Sequence, residues 1–265
     1  MTPDPEPGSG CWPDTSAEAA LPLFAFPLLV DHFYPSLMQY APSAEAGLGG
    51  RLLYAGNLDR EARALMVAAN IAGAASLAAA ADAAAGKQAI RAGVADFLVT
   101  DLDEALRILK NEIRKREAVA VCVAAPPEAI EREMLERGVL PDLVRGLGLA
   151  DGSGGVRTFG GDPMLVEPLS AAAAESLLTW SVDEAPAQWL PRLDALAMDC
   201  LALDESPSAQ IARRWLRFAP RYLGRLAGNV RVLRCTAPAA KAIAERMRAG
   251  VESGEIPVAV RIDFI

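Results

Sequence analysis

The stretch RLLYAGNLDREARALMVAANIAG, Arg51 to Gly73, predicts a buried strand, a turn with one glycine and a long alanine-rich helix. The helix is expected over about 59–70, with Asn57 or Asp59 as its N-cap. Many proteins bind dinucleotides with a strand-turn-helix unit of this kind, but their turns carry several glycines. Here Gly56 is the one glycine, and polar and charged residues follow it.

The same alternation of strands and helices continues along the chain. Apolar runs predict strands at 97–99, 118–125, 140–144, 229–235 and 258–263. Amphipathic patterns predict helices over 101–118, 126–138, 208–226 and 237–254, and residues 169–180 are also helix-like. The run at 74–81 is either a second strand or a continued helix, because alanine is a weak strand former. The predicted class is α/β, with a largely parallel sheet and helices on both faces.

The ends and the middle of the chain differ from this pattern. Residues 1–20 are rich in proline and acids, and we interpret them as a flexible N-terminal arm without the features of an export signal. Residues 21–265 are predicted to form one domain, with an irregular insertion at about 146–207. The first segment of this domain, 21–40, contains internal prolines and predicts broken helix or helix-turn pieces.

Composition limits the function classes. A net charge of −8 argues against nucleic acid or an anionic membrane as partner, and no apolar run approaches a membrane span. The four cysteines are far apart, which argues against a zinc site or a disulfide framework and favours the cytoplasm. The basic, aromatic stretch 213–225 has an apolar stripe and predicts a core-facing helix rather than a nucleic-acid surface.

Several segments together resemble the urocanase (urocanate hydratase) family. GRLLYAG is similar to the strand that enters the family's glycine-rich loop, ADFLVTDLDEALRILK to its acidic helix, and MLERGVLPDLV to its strand turn. RRWLRFAPRYL, NVRVLRC and VESGEIPVAVRID are similar to later segments in the same order. The resemblance covers about 21–144 and 208–263 and implies a Rossmann-like NAD-binding domain.

The residues that the resemblance assigns to NAD are mostly replaced. Gly56 and Asn57 stand in the turn for the pyrophosphate, and Ala79 or Ala80 stands where an acid would bind ribose. Asp82 would substitute for that acid only if the turn were shifted. The family's Gly-Asn pair falls on 124–125, and its Asp-Gln-Thr-Ser-x-His motif falls on Arg145 and the residues after it, without a match. We therefore expect a remnant cofactor site.

The resemblance and these replacements lead to three hypotheses. The first is a diverged, shortened urocanase-like protein that lacks NAD and hydratase activity, has no catalytic residues, and is a binding or interaction module. It would pair with itself as a homodimer, with a related enzyme, or with a small-molecule ligand. The second is an NAD-dependent hydro-lyase of the urocanate hydratase type. The third is a small-ligand sensor that uses the old cofactor crevice.

Other candidate sites are weaker. The glycine-rich loop at 151–163 offers Gly154, Gly155 and Arg157 to an anion. Cys122, inside an apolar strand, is most simply a small buried hydrophobe. Cys235 ends a strand after Arg234, which could lower its pKa, and a reactive thiol there is a minor hypothesis. The single histidine, His32, is expected to be packed or on the surface.

Two further groups of charges have structural interpretations. The three acids Asp101, Asp103 and Glu104 suit a helix N-terminus, and no spacing in the sequence specifies a metal site. Arg261 and Asp263 survive from the resembled C-terminal motif and predict an ion pair at a strand end.

Overall fold

A computed structural model describes residues 15–146, 163–168 and 175–265. The helices are α1 Thr15–Met38, α2 Arg60–Ala72, α3 Ala83–Ala92, α4 Leu102–Lys115, α5 Pro127–Glu136, α6 Pro186–Ala202, α7 Pro207–Leu223 and α8 Ala237–Glu252. The strands are β1 Leu52–Asn57, β2 Ala75–Ala79, β3 Phe97–Val99, β4 Ala120–Val123, β5 Leu143–Arg145, β6 Met164–Val166, β7 Glu175–Val182, β8 Val230–Thr236 and β9 Val260–Phe264.

Six strands form a parallel sheet in the order β3-β4-β2-β1-β5-β6. The residues of β2 and β4 are fully buried, as expected of central parallel strands covered on both faces. One face packs against α4 and α5 through an apolar cluster that includes Leu106, Leu109 and Ile130. The other face packs against α2, which α1 and α7 cover in turn. The predicted α/β class with helices on both faces is confirmed.

The C-terminal strands differ from the prediction, because they form a second sheet and do not extend the parallel one. Its order is β8-β7-β9, and β7 runs antiparallel to both neighbours. The helix α8 does connect two strands that run in the same direction, β8 and β9, as a strand-helix-strand pattern predicts. However, β7 lies between them, and sequence periodicity carries no information on such an insertion.

The helix-like interpretation of 169–180 is wrong over its second half, since Glu175 begins the strand β7. Residues 177–182 are all buried, and an apolar run buried on both faces has no period that distinguishes a strand from a helix. The insertion predicted as irregular also contains β6 and α6 among its described residues.

The N-terminal segment is one continuous helix, α1, rather than broken pieces, although three prolines lie inside it. Proline weakens a helix interior, but packing against α2, β8 and α7 holds this one together. Phe33 and Leu37 are fully buried in that contact. The boundary expected at residue 20 therefore falls inside α1. The helix α7 keeps its predicted apolar face in the core, with Trp215 and Leu216 buried.

Candidate functional site

The candidate site lies at the carboxyl ends of β1 and β5, where the strand order reverses direction. From β1 the chain proceeds to β2 on one side, whereas β5 lies on the other side of β1. Open parallel sheets bind ligands at this switch point. The chain turns there through Gly56, whose φ of +74° favours glycine, and the β1–β2 register shifts between Tyr54 and Gly56. The turn is held by the Leu58 N–H, which donates to the Ala79 carbonyl at 2.9 Å.

Asp59 is the N-cap of α2. Its Oδ1 accepts a hydrogen bond from the Ala62 N–H at 2.8 Å, so the capping chemistry expected from the sequence is confirmed. The same oxygen accepts a hydrogen bond from Arg145 Nη1 at 2.6 Å. Arg145 ends β5, and its side chain is only 9% exposed, against 44% for Asp59. The pair therefore bridges the two strands on either side of the switch point.

The electrostatics of this pair favour the charged forms. Partial burial alone would raise the pKa of Asp59, but the hydrogen bonds from Arg145 and from the Ala62 N–H outweigh it and lower that pKa. The Arg145 guanidinium lies over the glycine turn, with Nη2 4.0 Å from the position of a Cβ on Gly56. Arg145 Nε is buried and has no hydrogen-bond partner in the described part of the chain. A cation and a carboxylate thus meet at the place where a cofactor's phosphates would lie.

The other predicted cofactor residues are at the same edge of the sheet but are engaged differently. Asn57 is exposed at the end of β1 and is in register with Ala79. Asp82 is the N-cap of α3, where its Oδ1 accepts from the Ala84 N–H at 2.8 Å. Ala80 is buried. The carboxylate of Asp82 therefore serves the backbone of its own helix.

Residues 36–147 match the family model of the urocanase Rossmann-like domain. The match begins inside α1 and ends just after β5. It covers less than half of the 265-residue chain and contains the complete β1 to β5 unit with the switch point. The resemblance inferred from the sequence is thus confirmed for this segment. The C-terminal resemblance, from residue 208 onward, lies outside the match.

For the segment that matches this family model, the expected loss of NAD binding at the turn stays a prediction. The domain family is NAD-related. Gly56 and Asn57 end β1 and Asp82 caps α3, and a role of these three residues in cofactor binding stays a prediction. Gly154, Gly155 and Arg157 lie outside the described residues. None of the described helices is long and apolar enough to cross a membrane.

The reactive-thiol hypothesis for Cys235 is wrong. Its side chain is fully buried, and burial, with smaller contributions from Glu175 and Asp204, raises the pKa of the thiol to about 12. Arg234 does not activate it, because neighbouring residues of a strand point to opposite faces. Arg234 instead donates from Nε and Nη2 to Asp31 Oδ2 on α1, at 3.0 and 2.6 Å.

The remaining charged candidates have structural roles. Asp101 caps α4 by accepting from the Glu104 N–H at 2.9 Å, and Asp103 pairs with Arg137. Among the described residues, no group of three or more His, Cys, Asp and Glu side chains is placed to hold a metal ion. His32 is half-buried on α1, where burial and Arg234 lower its pKa.

Sequence reasoning missed two arrangements. It considered Arg145 only as a position where the family motif has no match. The signal for the ion pair was an arginine at the end of one predicted strand and an aspartate just after another. It also missed the buried Asp31–Arg234 pair, because those residues are more than 200 positions apart. Sequence alone carries no sign of that proximity.

Proposed function

We propose that this chain is a urocanase-related protein that acts without NAD and without hydratase activity, as a non-catalytic binding module. The observation that supports this proposal is the Asp59–Arg145 ion pair at the switch point. It joins the ends of β1 and β5 with the chain's own charges, in the crevice where parallel sheets of this kind hold ligands.

The residues at the turn do not fit a dinucleotide pyrophosphate. The Ala62 N–H, a donor of the first turn of α2, is already bonded to Asp59. A bound pyrophosphate would face that carboxylate, and two like unit charges 4 Å apart repel by about 4 kcal/mol at an effective dielectric of about 20. To use Arg145 as its counter-ion, the pyrophosphate would have to displace Asp59. Either arrangement lowers the affinity for NAD.

Titration of NAD into the purified protein tests the proposal by isothermal calorimetry and by thermal shift. We expect no saturable heat and no stabilisation for the wild type. Asp59→Gly removes the carboxylate and opens the turn, so any residual affinity for pyrophosphate should rise in this variant. Asp82→Gly is the matched control, because it removes an N-cap carboxylate that has no arginine partner among the described residues. Saturable micromolar binding of NAD to the wild type would refute the proposal.

Hydratase activity is tested separately by following the ultraviolet absorbance of urocanate. The only histidine of the chain, His32, lies on α1, and the strand-end residues of β5 are an ion-paired arginine and a glycine. The Asp59 carboxylate at the switch point is engaged by Arg145 and by the Ala62 N–H, so it is not free to act as a base for water addition, and we expect the absorbance to stay constant with and without NAD. An enzyme-dependent loss of absorbance would support the hydro-lyase alternative.

A cavity beside the turn supports the small-ligand sensor as a second candidate. It has a volume of about 350 Å³ and is lined by Asp59, Arg60, Arg63 and Gln88 among others. Arg63 Nε is buried and finds no hydrogen-bond partner within residues 15–146, 163–168 and 175–265, whereas Arg63 Nη2 donates to Gln88 Oε1 at 3.5 Å. An anionic ligand would supply the missing acceptor. Stabilisation by small carboxylates or inorganic phosphate that Arg63→Met abolishes would favour this candidate.

A further inference from the structure

In the part of the chain that the structure describes, the strand β9 is an edge strand with one side unpaired. It pairs only with β7 in the second sheet, and no backbone hydrogen bond from another described element reaches its outer side. Phe264 is 50% exposed and Ile265 57% exposed at its carboxyl end. Arg261 and Asp263 are both exposed, and the ion pair expected between them is not formed among the described residues. An exposed edge of this kind is a template for another strand.

The hydrogen-bonding phase of β9 fixes which residues face outward. The Ile265 N–H donates to the Leu177 carbonyl at 2.9 Å, so that pair is a hydrogen-bonded pair of the antiparallel ladder. Since hydrogen-bonded and non-bonded pairs alternate, Asp263 and Arg261 also direct their backbone groups at β7. The N–H and C=O groups of 260, 262 and 264 consequently point away from the sheet. Any strand added at this edge must bond to these three residues.

Because residues 260, 262 and 264 must form the new backbone hydrogen bonds, β9 can pair with β9 of an antiparallel second copy in three central registers. When Ile262 is opposite Ile262, Arg261 stands opposite Asp263 of the other copy, on both sides of the two-fold axis. When Ile262 is opposite Val260, Arg261 stands opposite Arg261. When it is opposite Phe264, Asp263 stands opposite Asp263. Opposite charges stabilise a cross-strand pair and like charges destabilise it, so only the first register is favoured.

The apolar side chains agree with the same register. Side chains alternate across a strand, so 260, 262 and 264 share the face that packs toward the core, where Val260 and Ile262 are half-buried. With Ile262 on the axis, Phe264 of each copy stands opposite Val260 of the other. The exposed Phe264 would therefore gain an apolar neighbour, while the charged pairs lie on the outer face.

We propose that β9 pairs antiparallel with β9 of a second copy of this chain, with Ile262 on the two-fold axis. The two three-stranded sheets would join into one six-stranded sheet, with reciprocal backbone bonds at Ile262 and between Val260 and Phe264. Four ionic side chains would form two identical Arg261–Asp263 pairs across the junction. A C2 interface requires a self-complementary surface of this type.

Other described edges are less suited to this contact. The edge strands β3 and β6 have three residues each, and short edges resist pairing. The remaining edge, β8, packs against α1 and α7. With five residues from each strand, the β9 contact is expected to belong to the weak or transient interfaces, which bury less than about 1,200 Å². The dimer is therefore expected to be concentration-dependent.

Charge reversal provides the test, by sedimentation velocity across a concentration series. Wild type is expected to show a monomer-dimer equilibrium. Arg261→Asp places aspartates opposite aspartates, and Asp263→Arg places arginines opposite arginines, so each variant should lose at least about tenfold in association constant. Both side chains are exposed, so the thermal unfolding midpoint of each monomer should be unchanged.

Complementation then identifies the register. An equimolar mixture of the two variants gives opposite-charge pairs in a heterodimer in any of the three registers, so it tests the charge contact. The double variant R261D/D263R restores opposite-charge pairs in a homodimer only when Ile262 is on the axis, so it identifies the register. Both should associate as wild type does. A wild type that stays monomeric throughout the series, or an Asp263→Arg variant that still dimerises, would overturn the proposal. So would a mixture no more associated than its separate components.

Discussion

The Asp59–Arg145 pair makes a quantitative prediction about stability. The substitution Asp59→Asn retains a good N-cap residue for α2 but removes the charge opposite Arg145. Two opposite charges about 4 Å apart attract by about 4 kcal/mol at an effective dielectric of about 20. Asp59 is 44% exposed, so solvent screening reduces this value, and we expect a loss of about 1–2 kcal/mol in the free energy of unfolding.

The matched control is Asp82→Asn. Asp82 caps α3 at the same 2.8 Å distance as Asp59 caps α2, although it accepts from the N–H two residues on rather than three, and it has no ion pair among the described residues. Asparagine and aspartate are about equally good N-caps, so the control should change the free energy of unfolding by less than about 0.5 kcal/mol. The difference between the two substitutions then isolates the contribution of Arg145.

A double-mutant cycle in urea unfolding completes the assay. Arg145→Met removes the buried cation and keeps most of its apolar volume, so the cycle Asp59→Asn with Arg145→Met should give a coupling free energy of about 1–2 kcal/mol. A coupling below about 0.3 kcal/mol, or equal effects of Asp59→Asn and Asp82→Asn, would refute the reasoning. Either result would mean that the crevice is not closed by this pair.

The pH dependence follows from the lowered pKa of Asp59. Because the folded-state pKa lies below the ordinary value near 3.8, the stabilisation is fully present above that value and is lost as the pH falls through the folded-state pKa. The stability difference between wild type and Asp59→Asn should therefore be constant near neutral pH and shrink in acid.

Three further predictions concern the core and the turns. Trp215→Phe removes the buried bond from the indole Nε1 to the Val232 carbonyl, 2.6 Å long, and should lower the free energy of unfolding by about 1–3 kcal/mol in urea titrations. Gly47→Ala should lower the thermal midpoint more than Gly138→Ala. Both glycines have positive φ, but a Cβ at Gly47 would overlap the last carbonyl of α2, whereas a Cβ at Gly138 would meet no described atom within 4 Å. Cys235 should stay unmodified by a thiol reagent at pH 8 until the protein unfolds, because burial raises its pKa to about 12.

Local patterns were sufficient for much of the Rossmann-like segment. Neighbouring residues are enough to identify the apolar run 52–55 with Gly56 after it. They are also enough to identify the cap Asp59 before an alanine-rich helix. Their physical causes, burial on both faces of a strand and satisfaction of free helix N–H groups, act over a few positions. The acids at the start of α4 follow the same local logic, and their roles agree with the prediction.

The partners of those residues could not be obtained in the same way. Asp59 was correctly assigned as a cap, yet its second partner, Arg145, is 86 positions away and depends on β5 lying beside β1. The run 177–182 gave no period, because both of its faces are buried. The position of β7 between β8 and β9 likewise depends on packing rather than on any local signal.

The sequence by itself determined the class of fold, the core-facing sides of the amphipathic helices and the capping chemistry of the cofactor turn, because backbone propensity and burial act between near neighbours. The tertiary structure alone decided what stands in the crevice and what lies at the free edge. Arg145 reaches Asp59 only through strand order, and the outward phase of β9 is set only by its hydrogen bonds to β7. Both features are contacts between segments distant in the chain, and their energies depend on distances that a linear pattern does not contain.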